Sequence, residues 1–354
     1  MEFIDLRSQY EAIKDDINYR IQNVLNHGAY INGPEVTALE DKLSKFVGVK
    51  HTITCANGTD ALEIVLRALG IGPNDVVFCP TFTFFATAEV ISNLGAIPIF
   101  VDSDLETFNI CPDDLEDKIR RTKKETDFNP KAIISVDLFG LPANYDRLER
   151  IAAQYDLLLV EDAAQGFGGS IRGKRAGSFG IAATTSFFPA KPLGCYGDGG
   201  AIFTNSDTIN ELARSLRSHG QGSHKYENIR IGYNSRLDTI QAAVLLAKLE
   251  VFEKELNSRD CAAKNYNKIY AEHFVVPTVP DGFRSAWAQY TIRCDNRTNT
   301  IKEFQKKGIP TNIYYPKCLH EQKAFQYVKD LQINLPRAIN LSKSVLSLPM
   351  HGYL

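Results

Sequence analysis

The 354-residue sequence lacks the charge imbalance of a nucleic-acid-binding protein and the long apolar runs of a membrane protein. Its 40 Lys and Arg residues are balanced by 42 Asp and Glu residues, and no basic run occurs. Because duplex binding needs a positive stripe that displaces counterions, no nucleic-acid partner is expected. No apolar run approaches the roughly 18 residues that cross a bilayer, and the first residues do not have the pattern of a signal peptide. We therefore expect a cytoplasmic globular protein without a membrane partner.

Paired cysteines are missing too. The seven cysteines are odd in number, and none lies in a C-x-x-C pair. This excludes a disulfide framework and a zinc site of the usual spacing. The cysteines are expected to pack as small apolar side chains.

Short apolar segments alternate with amphipathic ones in the first two thirds of the chain. Strands are predicted at residues 52–55, 76–79, 97–101, 132–136 and 157–160, and helices at 36–49, 60–69, 87–94, 113–119 and 145–155. This alternation is typical of βαβ units and a mostly parallel sheet. Because the strands show no polar alternation, both faces of the sheet should be covered by helices. The prediction is a three-layer α/β/α domain.

The pattern changes after residue 245. A long charged helix at about 236–257 precedes a strand at 289–293, a helix at 301–307 and a proline-punctuated tail, while the polar stretch 120–130 is predicted to be a loop. We therefore expect a large α/β domain at 1–245 and a smaller α+β domain at 246–354.

Three motifs follow strand ends, where open parallel sheets bind ligands. The first, Asn57-Gly58-Thr59-Asp60, joins a strand to a helix. Glycine lets a phosphate approach the backbone, and free N–H groups at a helix N-terminus favour an anion. A capped turn without a ligand is the alternative.

The second motif runs from Glu161 through Asp162 to Gln165, directly after the strand at 157–160. A carboxylate at such a strand end is desolvated and needs a partner, which a protonated ring nitrogen of a cofactor would supply. A helix N-cap is the alternative role for Asp162.

The third motif is the glycine-rich stretch 185–200, which contains the single lysine Lys191 among apolar and hydroxyl side chains. A lysine in apolar surroundings tends toward a lowered pKa and can act as a nucleophilic amine. An ordinary solvated loop lysine is the alternative. A phosphate cradle, a buried carboxylate and an activated lysine, in this order, are what pyridoxal 5′-phosphate (PLP) requires.

With these motifs the sequence resembles the DegT/DnrJ/StrS family of nucleotide-sugar aminotransferases, from Phe3-Ile4-Asp5-Leu6 to Leu348-Pro349-Met350-His351. The resemblance implies a fold type I PLP-dependent transferase that works as a homodimer with shared active sites. The implied cofactor-binding residues are Gly58, Thr59, Phe84, Asp162, Gln165, Ser186, Lys191 and Asn234.

The resemblance also implies a role for each of these side chains. Lys191 and Asp162 would be catalytic: Lys191 would carry the cofactor covalently and then move a proton at the substrate carbon, and Asp162 would keep the pyridine nitrogen protonated. Gln165 would bond the ring hydroxyl, and Phe84 would stack on the ring. The phosphate would be bound by Gly58, Thr59, Ser186 and, from the partner subunit of the dimer, Asn234.

Substrate-binding roles are expected for Arg236, Tyr315 and His320. Arg236 could grip a carboxylate of a uronate or of the glutamate donor, with a salt bridge at a helix start as the alternative. Tyr314 stands where the family pattern commonly has histidine. For His351 the alternative is a structural role as a buried, hydrogen-bonded histidine.

The expected activity is transfer of the amino group of glutamate to a keto group on a nucleotide sugar, for surface polysaccharide synthesis. The lysine and strand-end motifs are most similar to members that aminate C3 of UDP-N-acetyl-3-oxo-glucosaminuronate. A 4-keto-6-deoxy sugar is the alternative acceptor, and a non-catalytic regulator is a third possibility. Sugar dehydratases of this fold carry histidine at the position of Lys191, which argues against that class.

Overall fold

The computed structural model describes residues 2–224, 226–331 and 334–354. The helices are α1 (Leu6–His27), α2 (Pro34–Val47), α3 (Gly58–Ala68), α4 (Ala86–Asn93), α5 (Pro112–Glu125), α6 (Tyr145–Tyr155), α7 (Asp207–Leu216), α8 (Thr239–Tyr270), α9 (Arg297–Lys306) and α10 (Pro336–Ser344). The strands are β1 (His51–Cys55), β2 (Asp75–Pro80), β3 (Ile97–Val101), β4 (Asn129–Val136), β5 (Leu158–Asp162), β6 (Ser170–Ile171), β7 (Lys174–Arg175), β8 (Ala182–Ser186), β9 (Gly200–Thr204), β10 (Phe283–Arg284), β11 (Tyr290–Arg293) and β12 (Val345–Leu348).

The central sheet has seven strands in the order β1-β9-β8-β5-β4-β2-β3. Strand β9 runs antiparallel to both of its neighbours, and the remaining pairs are parallel. The predicted, mostly parallel sheet is confirmed. Its parallel strands bring their carboxyl ends to one edge, which is where the three motifs lie.

Helices cover both faces of the sheet. On β2, Val77 and Cys79 pack into a core with the side chains of α3, α4 and α7, whereas Val76 and Phe78 pack into a core with those of α5 and α6. Helices α2 and α8 add a third core over β8 and β9. Each fully buried large aliphatic or phenylalanine side chain contributes about 1.5–3 kcal/mol relative to exposure. Burial on both faces explains why these strands lack polar alternation.

The C-terminal third is organised around α8, which runs for 32 residues. Strands β11 and β12 pair antiparallel, and their apolar side chains pack with those of α8 and α9. The boundary expected at 245/246 falls inside α8. The division into two domains stays a prediction.

Three local expectations are corrected by the structure, and one helix was not predicted. The stretch 120–130 is not a loop: α5 continues to Glu125, with Thr122 buried in register with Leu115 and Ile119, and β4 begins at Asn129. Helix α8 extends 13 residues beyond the expected end at 257. Helix α1 escaped detection because it buries only three side chains. Six cysteines are buried as expected, but Cys261 is exposed.

Across the described ranges, every helix is too short or too polar to pass through a lipid bilayer.

Candidate active site

The candidate site lies where β1, β5 and β8 end. Gly200, the first residue of β9, pairs with Cys55 of β1 on one side and with Ser186 of β8 on the other. A Cβ at residue 200 would lie 2.9 Å from the backbone nitrogen of Gly58, so only glycine fits there. Strand β9, which is antiparallel to both neighbours, thus places the Asn57-Gly58 turn after β1 beside the end of β8.

The turn after β1 is built like an anion site. The Asn57 side chain accepts a hydrogen bond from the Asp60 N–H at 2.8 Å and caps α3. The N–H groups of Gly58 and Thr59, in the first turn of the helix, have no intrahelical carbonyl to bond. A Cβ on Gly58 would lie 2.7 Å from the Cβ of Ser186. The capped turn and the phosphate cradle were given above as alternatives. The structure has one turn that is capped by Asn57 and also has the shape of a cradle, and Ser186 lines it.

Asp162 ends β5 and is 6% exposed. Its carboxylate accepts hydrogen bonds from the Ala164 N–H at 3.1 Å and the Thr87 hydroxyl at 3.2 Å. Burial raises its pKa, and the positive charge of Lys191 opposes that rise. A turn rather than a helix follows it, so Asp162 is not a helix N-cap. Thr87, in α4, carried no sequence signal for this contact.

Lys191 is half-buried in the loop between β8 and β9. Burial lowers the pKa of its amine, and the nearby charge of Asp162 acts in the opposite direction. Within the described ranges, no carboxylate lies within ion-pair distance of the Lys191 amine. A lysine without its own ion pair is suited to exist as a neutral nucleophile.

Gln165 joins two distant segments at the site. Its Oε1 accepts from the Phe139 N–H at 2.9 Å, and its Nε2 donates to the Tyr315 hydroxyl at 3.2 Å. Burial raises the pKa of the Tyr315 hydroxyl. One N–H of the Gln165 amide is left for another acceptor. The Phe84 ring is 55% exposed and lies 6.4 Å from the Tyr315 ring, centre to centre.

Asn234 and Arg236 are bonded to each other, a contact that sequence reasoning missed. Arg236 Nη2 donates to Asn234 Oδ1, and the Asn234 side chain is exposed. The buried Nε of Arg236 has no hydrogen-bond partner in the described part of the chain. The guanidinium is therefore not held by the helix-start salt bridge considered above.

His320 lies beside the site but is engaged by the protein. Its Nδ1 is 2.7 Å from the Thr81 hydroxyl, just after β2, and burial lowers its pKa. The contact fastens the segment after Tyr315 to the sheet. His351 is buried as well, and its Nδ1 accepts from the Tyr353 N–H at 3.2 Å.

These residues fit PLP. The glycine cradle beside Ser186 suits a phosphate, since any larger residue at 58 would fill it. Asp162 is a buried acceptor, and within the described residues both of its hydrogen-bond donors are neutral, which leaves it free to pair with a charged ring nitrogen. Lys191, with its lowered pKa, and the exposed Phe84 ring supply the amine and the flat apolar surface.

Residues 11–354 match the DegT/DnrJ/EryC1/StrS aminotransferase family. The chain belongs to this family. Its members are PLP-dependent sugar aminotransferases, so this chain is a PLP-dependent sugar aminotransferase of fold type I.

Two relatives of this aminotransferase match it over nearly its whole length. It is 49% identical to a UDP-2-acetamido-2-deoxy-3-oxo-D-glucuronate aminotransferase of Pseudomonas aeruginosa, over 100% of this chain and 96% of the relative. It is 39% identical to a UDP-N-acetyl-3-dehydro-alpha-D-glucosamine 3-aminotransferase of Acidithiobacillus ferrooxidans, over 98% of this chain and 92% of the relative.

Solved structures agree with the fold. A DegT/DnrJ/EryC1/StrS aminotransferase from Brucella abortus is 50% identical with a TM-score of 0.98, covering 100% of this chain and 95% of that one. NtdA from Bacillus subtilis, with bound PMP, is 29% identical with a TM-score of 0.88, covering 99% of this chain and 79% of that one.

Proposed function

We propose that this aminotransferase moves the amino group of glutamate to C3 of UDP-N-acetyl-3-oxo-glucosaminuronate. The full-length similarity to the Pseudomonas aeruginosa 3-oxo-glucuronate enzyme supports the acceptor. The structural observation that carries the proposal is the Arg236 guanidinium, which has no carboxylate partner of its own within the described ranges. The carboxylate of a sugar acid would supply this partner, because arginine binds a carboxylate through two parallel charge-assisted hydrogen bonds.

Each side chain at the strand ends has one task in this proposal. Gly58, Thr59 and Ser186 bind the cofactor phosphate, while Phe84 covers one face of the ring. Gln165 donates its remaining amide N–H to the ring hydroxyl. When bound, PLP accepts the amino group from glutamate and withdraws electrons from the reacting carbon.

Proton transfer is assigned to Lys191. Its lowered pKa makes the neutral amine accessible, so it can take a proton at the donor carbon and return one at C3 of the acceptor. Asp162 accepts the hydrogen bond of the protonated ring nitrogen. Since its own neighbours Thr87 and Ala164 donate to it, both hold the carboxylate in place for that bond.

The proposed assembly is a homodimer in which Asn234 reaches the phosphate of the partner's site. The exposed Asn234 amide, oriented by Arg236, supports a contact beyond its own chain. The buried Ser235 accepts from the Ala56 N–H at 3.2 Å and holds this loop near the same chain's cradle. A phosphate contact within one chain is therefore the competing arrangement.

We also propose the cytoplasm as the site of the reaction, where unpaired cysteines persist. The product would be an amino sugar still attached to its nucleotide. A glycosyltransferase for surface polysaccharide, such as O-antigen, would consume it.

The decisive experiment compares two acceptors that differ only at C6. UDP-N-acetyl-3-oxo-glucosaminuronate carries a carboxylate there, and UDP-N-acetyl-3-oxo-glucosamine carries a hydroxymethyl group. In Arg236→Ala, kcat/KM for the uronate should fall roughly ten- to a hundredfold, which corresponds to a loss of about 1.5–3 kcal/mol of transition-state stabilisation. The kcat/KM for the hydroxymethyl acceptor should change little. Arg236→Lys should recover only part of the loss, because lysine lacks the bidentate geometry.

Three outcomes would contradict parts of the proposal. If the glutamate half-reaction, followed alone by absorbance, falls as much as the uronate reaction, Arg236 serves the donor. If kcat/KM falls equally for both 3-oxo sugars, Arg236 acts through Asn234. If wild-type enzyme prefers a 4-keto-6-deoxy sugar, the uronate is not the acceptor.

A further inference from the structure

Beneath the candidate site lies a pair of buried carboxyl groups that the reaction does not use. Asp137 follows β4 and Glu161 is the penultimate residue of β5, and both are 0% exposed. Their side chains are within hydrogen-bonding reach of each other. Neither forms an ion pair with a lysine, arginine or histidine in the described ranges.

The hydrogen bonds show where a proton can reside. Glu161 accepts through both oxygens, from the Gly177 N–H at 2.7 Å and the Phe179 N–H at 2.8 Å. Asp137 accepts through Oδ1 from the Ala143 N–H at 3.0 Å and the Tyr145 hydroxyl at 2.8 Å. The other oxygen, Asp137 Oδ2, is shielded from solvent and has no hydrogen-bond partner in the described part of the chain. A proton on Oδ2 would give this atom a hydrogen bond to donate, and the Glu161 carboxylate is an acceptor within reach of the Asp137 side chain.

Two ionised carboxylates without a cation do not persist at this distance in a buried site. Burial raises the pKa of both groups, and the titratable groups that face them are Tyr145 from α6 and Asp162 at the end of β5. Tyr145 donates to Asp137, and Asp162 adds a further negative charge. Neither neighbour removes the need for a proton.

The pair connects to the cofactor-binding turn. A Cβ at Gly166 would lie 2.8 Å from the carboxyl carbon of Asp137, so the turn that carries Gln165 rests on this group. The backbone N–H of Asp137 donates to the Asp162 carbonyl at 3.1 Å. The loop that Asp137 closes through Ala143 contains Phe139, whose N–H holds Gln165.

The same network includes the turn from Gly177 to Phe179, whose N–H groups donate to Glu161. The Tyr145 ring stacks on the Phe179 ring at 4.3 Å with an interplanar angle of 2°. Asp137, Tyr145, Phe179 and Glu161 thus form a closed circuit below the site.

We infer that Asp137 and Glu161 share one proton, carried on Asp137 Oδ2, and that this pair positions Asp162 and Gln165 for the cofactor. Both are positioning residues. With this proton the pair carries one negative charge instead of two, which weakens the repulsion on Asp162, the carboxylate proposed to bond the ring nitrogen.

The test uses two substitutions that a shared proton distinguishes. Asp137→Asn places an N–H at the position of the protonated oxygen and keeps an oxygen for Ala143 and Tyr145, so it should fold and retain PLP. Glu161→Gln places an N–H against the donors of Gly177 or Phe179. It should therefore lower stability and PLP retention, measured by the cofactor absorbance that remains after gel filtration.

The proton itself is tested by pH dependence. A carboxyl protonated only in the folded state stabilises the protein at low pH, and this contribution is lost as pH rises through its folded pKa. From pH 5 to 7, the urea unfolding constant of the wild-type holoenzyme should therefore rise relative to that of Asp137→Asn, by up to about tenfold per pH unit. Asp75→Asn is the matched control, because Asp75 is a carboxylate outside the circuit that is paired with Lys131. This substitution should change the free energy of unfolding by the same amount at every pH.

A purely structural role would give parallel pH profiles for wild type and Asp137→Asn, and that result would overturn the shared proton. The same holds if Asp137→Asn fails to fold or loses as much stability and PLP as Glu161→Gln. If Glu161→Gln does not fold at all, the pH profile of Asp137→Asn still decides.

Discussion

Replacing Asp162 by asparagine separates the charge of this side chain from its shape. The carboxylate has two protein donors, the Ala164 N–H at 3.1 Å and the Thr87 hydroxyl at 3.2 Å. An asparagine can keep the first through its oxygen and the second by donating to the hydroxyl, which accepts as well as donates. Because both hydrogen bonds survive and a buried charge is removed, the free energy of unfolding should change by no more than about 1 kcal/mol.

Turnover should respond far more strongly. The amide cannot hold a proton on the ring nitrogen, and loss of a charged hydrogen bond is worth about 1.5–3 kcal/mol, or roughly ten- to a hundredfold in rate. The glutamate half-reaction, followed by stopped-flow absorbance on PLP-loaded enzyme, measures this loss without the sugar. Near-normal rates in a folded, loaded Asp162→Asn variant would refute the role.

A second readout follows from the Lys191 amine. The Asp162 charge raises the pKa of Lys191 against the effect of burial. Asp162→Asn should therefore lower the pH at which the Lys191 amine titrates in the cofactor-free protein. Thr87→Val is the matched control: it removes a donor from Asp162 but keeps the charge, so the Lys191 titration should move little and the rate should fall less.

Three further outcomes are expected. Lys191→Ala should fold and bind PLP without a covalent link but lose transamination; borohydride reduction of the wild type should label the Lys191 peptide, and a label on another lysine would contradict the assignment. A heterodimer of Asn234→Ala and Lys191→Ala subunits should regain about half of the activity if the sites are shared, since one site then has both residues, whereas no recovery indicates sites within one chain. Gly58→Ala should weaken PLP retention, because the new Cβ meets Ser186 at 2.7 Å, whereas Gly72→Ala, with no atom within 4 Å of its Cβ, should not.

The sequence was sufficient to predict five of the seven strands of the sheet, because these segments are largely apolar and the segments between them have a helical period. Strands β8 and β9 were missed: β8 contains Thr184, Thr185 and Ser186, and β9 follows the glycine-rich loop. The sequence also placed three motifs together, since the carboxyl ends of parallel strands share an edge. Those motifs contain residues that the structure brings to one edge, such as Gly58, Asp162 and Ser186.

Long-range contacts were beyond the reach of local patterns. The reversal of β9 depends on Gly200 pairing with two strands at once, and nothing in a glycine-rich loop encodes that direction. Gln165 and Tyr315 meet across 150 residues. Asp137 showed no sequence signal, because a carboxyl group after a strand looks the same whether it is solvated or buried against another.

The electrostatics of the site point to a cation that the protein alone does not provide. Burial raises the pKa of Asp162 and lowers that of Lys191, so each group is held away from its usual charge. Each charge also partly supports the other, which makes them a weak pair at a distance rather than a salt bridge. PLP held by Lys191 would take up that amine, and a protonated ring nitrogen would supply Asp162 with a positive charge. PLP bound in this way would therefore lower the desolvation cost of both groups.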